Sequence, residues 1–590
     1  MCGVFGYVGN RKQDLSGFLL AGLSKLEYRG YDSAGIAVLQ NGKARIFKEV
    51  GELKNLKRAL NGRKFEGEVG IGHTRWATHG QVTKKNAHPH TDCTGKIIVV
   101  HNGIIENFEK LKARLIKSGH KFKSETDTEV FAHLVEEFLT KKTTFPEAVR
   151  RAFRGLEGLN AVVVMSNDQI VAFRRGSPLI AGNGKYGNFI SSDIPALAEI
   201  TDKIILLNEG EGVVLSKDAV IRIRPDGTMG RAKTTTIKMK EVTADKGGFS
   251  HFLIKEIFEQ PEVLMRVASN EEDEIKEAAS LIKNAWGTYF TACGTAAYAG
   301  LAATYMFSEI AGRHVNFAVG SEFPYLEDFL VPKSLLIAAS QSGETMDTLE
   351  AVRAAKRHKS KILALVNVPG SSLERLADYV IHLRAGPERA VLSTKSYIAK
   401  LAFFTLFAYT IAGKYKKGVE LIRKTSKKMA KLFNDGLESD IKKLAKRLVN
   451  SEHVYIIGRG VNYATALEGA LKIKEASYIH AEGFAGGELK HGVIALIEKG
   501  TPCITVVAND KARESILSNA MELKSRGGYI IGISPTKESV FDYWIKVPDA
   551  KVASPIVSVV PMQLLAYHLT LLKGFNPDRP RNLAKSVTVK

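Results

Sequence analysis

Cysteine is scarce in this sequence. Cys2, Cys93, Cys293 and Cys503 lie too far apart for a disulfide framework, and no two have the close spacing of a zinc knuckle. A disulfide-stapled secreted scaffold is excluded, and a reducing cytoplasm is the expected setting. Long apolar runs are lacking too. The longest, residues 556–572, is broken by Pro561, Gln563 and His568, and no basic-then-apolar leader opens the chain. The expectation is a chain that is neither secreted nor held in a membrane. Acidic residues are in deficit, 62 against 84 basic ones, for a formal net charge of +22. Such an excess attracts polyanions, but no cluster interleaves basic and aromatic residues, so nucleic acid is not expected as a partner. The lysines of residues 414–431 and 442–446 are spread along helical patterns and read as solvated surface that also draws in a phosphorylated substrate.

What is present is enough apolar residue, 45% of the chain, to build several cores in a multidomain protein. Residues 2–220 alternate short β-like runs (residues 4–8, 97–100, 161–165 and 204–207) with a few helical patterns, which suits packed sheets with flanking helices. Residues 221–250 turn polar and basic, with Pro225, Gly227, a threonine run and Gly247-Gly248, and read as a connection. Beyond it, five- or six-residue apolar strands alternate with longer helices, the pattern of a parallel sheet wound on both faces. This part repeats itself. Tyr289-Phe290-Thr291-Ala292-Cys293-Gly294-Thr295 and Tyr455-Ile456-Ile457-Gly458-Arg459-Gly460-Val461 each lead into an Ala-rich helix, and the strands at 362–366 and 529–533 recur at nearly the same offset. Two related α/β domains, 251–435 and 436–577, are expected, followed by a tail at 578–590.

In the first repeat, the apolar strand at 335–339 runs into Ser340-Gln341-Ser342-Gly343-Glu344-Thr345 and then a helix at 346–356. A loop between the carboxyl end of a parallel strand and the amino end of a helix presents free N–H groups and a positive dipole, and the hydroxyls add donors. A phosphate site fits this arrangement; an ordinary Ser/Gly turn capping a helix fits it too. The matching point of the second repeat, Val507-Ala508-Asn509-Asp510, lacks the hydroxyls.

Cys2 follows the initiator methionine. Once Met1 is removed, its own α-amine, with a reference pKa of about 7.7–8.0, can act as general base for the thiol. Cys2 has company in Tyr28-Arg29-Gly30-Tyr31-Asp32-Ser33-Ala34-Gly35, Gly72-His73-Thr74-Arg75-Trp76-Ala77-Thr78-His79-Gly80 and His101-Asn102-Gly103. With these motifs residues 2–220 resemble the class II, N-terminal-nucleophile glutamine amidotransferases, whose fold is an αββα sandwich. The resemblance implies that Cys2 attacks the glutamine amide and that Asn102 and the Gly103 N–H form the oxyanion hole. It also implies that Arg75 and Asp127 hold the glutamine α-carboxylate and α-ammonium, with Trp76, Thr78 and His79 lining the pocket. His73, His79, His88, His90 and His101 match no metal spacing, and the family requires neither metal nor cofactor.

From about residue 282 the chain resembles the tandem sugar isomerase (SIS) domains of the glutamine–fructose-6-phosphate aminotransferase family, two doubly wound parallel-sheet domains. The motifs are residues 340–345, Val391-Leu392-Ser393-Thr394-Lys395, Gly487-Glu488-Leu489-Lys490-His491-Gly492 and the tail from Pro580 to Val589. The resemblance implies L-glutamine and D-fructose 6-phosphate as substrates. It makes Lys585 a Schiff-base lysine, His491 the ring-opening residue, Glu475 the carrier of a proton between C1 and C2, and Lys472 the stabiliser of developing charge. Cys293, Gly294, Thr295, Ser340, Gln341, Ser342, Thr345, Val391 and Ser393 are implied to hold the sugar phosphate. A homodimer whose sugar site is shared between subunits, and ammonia passed internally from Cys2 with Trp76 as a gate, are further implications. Three residues depart from the family pattern: Ala296 for a serine, Leu392 for an alanine and Lys590 for a terminal glutamate. The Ser-Gly-Gly-x-Asp-Ser nucleotide loop of asparagine synthetases and the paired-acid motif of phosphoribosyl amidotransferases are both absent.

Overall fold

The computed structural model describes residues 2–40, 42–139, 142–236 and 246–588. They fall into two compact units, Met1–Thr243 with Ser586–Lys590, and Ala244–Lys585.

In the first unit an eight-stranded antiparallel sheet carries Gly3–Asp14 and Glu66–Arg75 side by side near its middle. A seven-stranded sheet carries Ile98–Gly103 next to Asn160–Ser166. Because strand side chains alternate between faces, each sheet supplies two apolar surfaces. Val4, Val8 and Ile71 of one sheet meet Val100, Ala161 and Val163 of the other in a shared interior. The opposite faces take helices: Phe5 and Tyr7 pack on Leu15, Leu19 and Leu23 of Leu15–Ser24, while Val99, Val162 and Val164 pack on Val130, Phe131 and Leu134 of Glu129–Phe138. The result is the expected αββα sandwich. Part of the tract read as a connection is strand in this unit: Val220–Ile223 and, at the edge, Met229–Arg231 extend one sheet, and Thr235–Thr236 forms an edge of the other. Residues 237–245 and Lys590 lie outside the described residues.

The second unit holds two five-stranded parallel sheets of identical winding. The first orders its strands Asn316–Val319, Gly287–Ala292, Ser334–Ser340, Lys361–Val366, Tyr379–His382; the second orders His480–Ala485, His453–Gly458, Pro502–Val506, Tyr529–Ser534, Tyr543–Lys546. Both read 2-1-3-4-5 in chain order, which bears out the internal repeat and places a topological switch point between the first and third strands of each sheet. The helices between the sheets are apolar all round because neighbours cover every side. Residues Lys395 to Ala408 of Lys395–Ile411 are buried without exception. Lys551–Leu572, long and apolar enough to cross a membrane by composition, has 89% of its window inside this core. One hydrophobic cluster runs from Leu253 to Leu569, so the two repeats share a core.

Candidate active sites

Cys2 sits at the entrance of the strand Gly3–Asp14, whose neighbour in the sheet ends at Arg75. That pairing brings position 2 against the 74–77 turn. The Trp76 amide donates to Cys2 Sγ at 3.3 Å, and Asn102 Nδ2 donates to the Cys2 carbonyl at 2.8 Å. Burial pushes the thiol pKa up, against the Trp76 amide and the Arg75 charge, which pull it down. Gly103 follows Asn102 with φ +132°, and a Cβ there would meet the Leu159 carbonyl oxygen at 2.0 Å, so only glycine fits.

Arg75 is buried and donates to the carbonyls of His79, Gly80 and Gln81, which folds residues 79–81 around its guanidinium. Asp127 is buried at the approach to the helix Glu129–Phe138 and accepts from the Ile105 amide at 2.8 Å. Trp76 is half-buried with its indole edge-on to Tyr31, 6.2 Å between centroids. Thr78 is exposed, and the His79 ring stands edge-on to Phe108. His73 stacks on His88, burial holds its pKa down to about 3, and His101 is fixed between Thr128 and Asn160 at 2.9 Å each. Desolvation favours the neutral form of His73, His88 and His101.

In the second unit, the loops after the first and third strands of the first sheet flank the switch point, where ligands bind in open α/β sheets. Cys293-Gly294-Thr295 leads into the helix Gly294–Ala311, and Ser340 to Thr345 leads into Met346–Arg357. The first loop touches the first turn of the second helix, where Cys293 Sγ lies 3.6 Å from Thr348 Oγ1. The serine loop is ordered internally. Ser340 Oγ accepts from the Gly343 amide and lies 2.9 Å from Thr345 Oγ1, Ser342 Oγ accepts from the Glu344 amide, and the Gln341 carbonyl accepts from the Asn367 amide. Gly343 has φ +68° and a Cβ would strike Ser371 Oγ at 2.1 Å, so the tight turn requires glycine.

The tail is tied down by Asp578, whose carboxylate accepts from the Phe252 and Leu253 amides and whose carbonyl accepts from Val391 N–H. Arg581 lies over the Tyr478 ring. So held, Lys585 reaches Glu388 Oε2 at 2.7 Å and Ser393 Oγ at 3.5 Å. Glu388 is wholly buried and also accepts from the amides of Thr394 and Ser396 and from the Ser396 hydroxyl. Burial alone would raise its carboxyl; the Lys585 ammonium and these donors prevail and hold it at about 2.

Glu468, Lys472 and Glu475 share one face of the helix Val461–Ser477 by their i, i+4, i+7 spacing. Lys472 donates to Glu475 at 2.6 Å and to Thr295 Oγ1 at 2.9 Å, which joins the second repeat's helix to the first repeat's loop. Burial pushes the Glu468 carboxyl up to about 8 despite Lys472 nearby. Burial thus favours the neutral form of Glu468, while Glu475 is the carboxylate that accepts the shorter bond from Lys472.

His491 stands apart. It ends the 3-10 turn Gly486–His491 on the exposed surface, and no described hydrogen bond or ion pair joins it to Lys585, Glu475 or Lys472. Leu392, one of the departures, turns into the core and does not line the site. Ala296 is buried, and the neighbouring Thr295 hydroxyl is engaged with Lys472. Two residues of the site were not singled out from sequence. Glu388 precedes the Val391–Lys395 motif by three residues without a pattern of its own, whereas Glu468 was detectable as the acid one turn before Lys472.

The glutamine amidotransferase domain family matches residues 73–199, and the SIS domain family matches residues 281–409 and 447–573. The glutamine–fructose-6-phosphate aminotransferase [isomerizing] of Pyrococcus horikoshii is 45% identical over the full length of both chains. This chain belongs to the isomerizing glutamine–fructose-6-phosphate aminotransferase family. Its relative of that name in Thermus thermophilus is 41% identical, again over the full length of both. Among solved structures, the C-terminal domain of glucosamine-fructose-6-phosphate aminotransferase from Francisella tularensis covers 57% of this chain and all of its own, at 34% identity and TM-score 0.54.

Proposed function

We propose that the chain transfers the amide nitrogen of L-glutamine to D-fructose 6-phosphate and isomerises the product to D-glucosamine 6-phosphate, releasing L-glutamate. The observation that carries the reading is the lysine pair within one unit: Lys585 buried against Glu388, and Lys472 between Glu475 and Glu468 and bonded to Thr295 in a loop at the switch point.

In the glutaminase half, a thiol raised by burial is a poor nucleophile unless a base takes its proton as it attacks. The α-amine freed by removal of Met1 serves as that base. Asn102 has two amide N–H groups; with one on the Cys2 carbonyl, the other stabilises the oxyanion together with the Gly103 N–H, donors worth about 2.7–4 kcal/mol each. Arg75 and Asp127 bind the two charged ends of glutamine, and Thr78 and His79 close the pocket. Trp76, half-buried beside the thiol and edge-on to Tyr31, gates ammonia that travels inside the protein, where it stays unprotonated.

In the sugar half, Ser340, Gln341, Ser342 and Thr345 bind the phosphate at the amino end of Met346–Arg357, with Cys293, Gly294 and Thr295 on the facing loop. Lys585, after losing a proton to solvent, attacks the open-chain ketone at C2 and the adduct expels water as an imine; ammonia then adds at C2 and expels the lysine amine, which leaves the nitrogen from glutamine on the sugar; Val391 and Ser393 line this site. Glu475 moves the proton between C1 and C2, and Lys472 balances the charge that develops. His491, exposed in its own chain, opens the sugar ring of a second subunit in a homodimer. Mixed Lys585→Ala and His491→Ala protomers then recover activity that neither has alone. The four unpaired thiols suit a cytoplasmic enzyme.

The test is borohydride reduction with fructose 6-phosphate. Peptide mapping finds a covalent sugar adduct at Lys585 if the reading is right; an adduct at another lysine, or none, rejects it.

A further inference from the structure

Away from the thiol site, four side chains of the first unit converge on one point. Cys93 lies in the turn after the short strand His90–Thr91, His120 follows the helix Phe108–Lys117, and His133 and Glu136 stand one turn apart on Glu129–Phe138. Cys93 Sγ lies 3.7 Å from His120 Nδ1 and 3.6 Å from His133 Nδ1, while Glu136 Oε2 lies 3.0 Å from the first and 3.1 Å from the second. All four ligand atoms fall within 4.8 Å of one another.

These separations are those of a coordination tetrahedron. Zinc bonds of about 2.3 Å to sulfur and 2.0–2.1 Å to nitrogen and oxygen give edges of about 3.6 Å between sulfur and nitrogen and about 3.3 Å between nitrogen and oxygen. The surroundings repeat a feature of metal-bound histidines, whose second ring nitrogen faces a carboxylate. His120 Nε2 lies 3.8 Å from Glu137 Oε1, and His133 Nε2 lies 3.7 Å from Glu129 Oε1. Glu129 is itself fixed, accepting from the amides of Lys123 and Ser124 and from the Ser124 hydroxyl at 2.6 Å each. A purely hydrogen-bonded cluster has no need of a thiol equidistant from two imidazoles that are each backed by a carboxylate. Sulfur and imidazole donors exclude magnesium and calcium, which take oxygen, and a tetrahedral S, N, N, O set suits zinc.

We propose that Cys93, His120, His133 and Glu136 bind one zinc ion, a site separate from both catalytic centres. With four protein ligands the site is closed and structural. Binding releases the Cys93 thiol proton to solvent and involves no redox change. The ion would cross-link the 92–97 turn, the end of one helix and the helix whose approach carries Asp127 and Thr128, the residue that holds His101. It thereby braces the end of the glutaminase pocket.

The test uses the full chain, untagged, equilibrated with zinc and dialysed against a weak chelator. About one zinc per chain is retained, and removing it with a strong chelator lowers the melting temperature, which zinc alone restores. Cobalt loaded in place of zinc shows tetrahedral bands with a thiolate charge-transfer band. Cys93→Ser, at an exposed position that leaves the core untouched, loses that band and most of the retained zinc. Less than about one-tenth of an equivalent in the wild type, or equal zinc and cobalt spectra in Cys93→Ser, overturns the proposal. Because no readout involves glutamine or sugar, the result stands apart from the fate of the proposed activity.

Discussion

Replacing Glu388 by Gln keeps the shape of a buried carboxylate and removes its charge, leaving the Lys585 ammonium without its partner. The magnitude follows from the carboxyl's own shift. Held at about 2 against an ordinary 4.5, it contributes about 3 kcal/mol to folding at neutral pH, consistent with the roughly 3–5 kcal/mol expected when one partner of a buried pair is removed. The contribution is complete above about pH 4.5 and is lost as pH falls toward 2, because the unfolded chain takes up the proton first. The amides of Thr394 and Ser396, which bond the carboxylate directly, report it. Hydrogen exchange at these amides is expected to speed up roughly a hundredfold in Glu388→Gln at pH 7. At pH 3 the gap between variant and wild type should shrink by more than half on a free-energy scale. Exchange within about threefold of wild type at pH 7, or a gap equally large at pH 3, would refute the assignment of that stability to the Lys585 pair.

Three further variants separate the two halves. Cys2→Ala abolishes glutamine hydrolysis and leaves fructose 6-phosphate binding by calorimetry unchanged; retained glutaminase activity contradicts the nucleophile. Ser342→Ala raises the KM for the sugar phosphate roughly ten- to hundredfold, the loss of a charge-assisted hydrogen bond of about 1.5–3 kcal/mol, and an unchanged KM moves the phosphate to another loop. Gly103→Ala forces φ +132° on alanine and a Cβ into the Leu159 carbonyl, a backbone cost of about 1–3 kcal/mol before the clash is counted. Its thermal transition falls and glutaminase activity is lost with sugar binding intact, whereas wild-type glutaminase activity would exclude the strain argument.

Much of the fold was legible because its signals are local. The strand runs at 161–165 and 204–207 are apolar in short stretches bounded by polar residues; the first falls within a strand, and the second within one that ends at Leu206. The repeat was readable because the two sheets share a strand order, so corresponding strands fall at nearly constant offset. The short strands inside the tract read as a connection were not legible for a physical reason: strands at the edge of a sheet are polar and short, and residues 229–236 therefore resemble a linker by composition. Candidate site residues carried by contiguous motifs, such as Ser340 to Thr345, can be singled out from sequence because the motif itself is local. Glu388 was not, since its importance arises from burial beside a lysine 197 positions away. The Cys93, His120, His133 and Glu136 group was invisible for the same reason: three separate segments assemble it, with His120 27 positions after Cys93.

The most direct measurement of the central claim follows nitrogen. Given glutamine labelled with ¹⁵N in its amide, unlabelled ammonium in solution and fructose 6-phosphate, the enzyme should form glucosamine 6-phosphate carrying ¹⁵N, with one glutamate for each amino sugar. Glutamate formed without any amino sugar, or amino sugar that takes its nitrogen from the unlabelled ammonium, would contradict it.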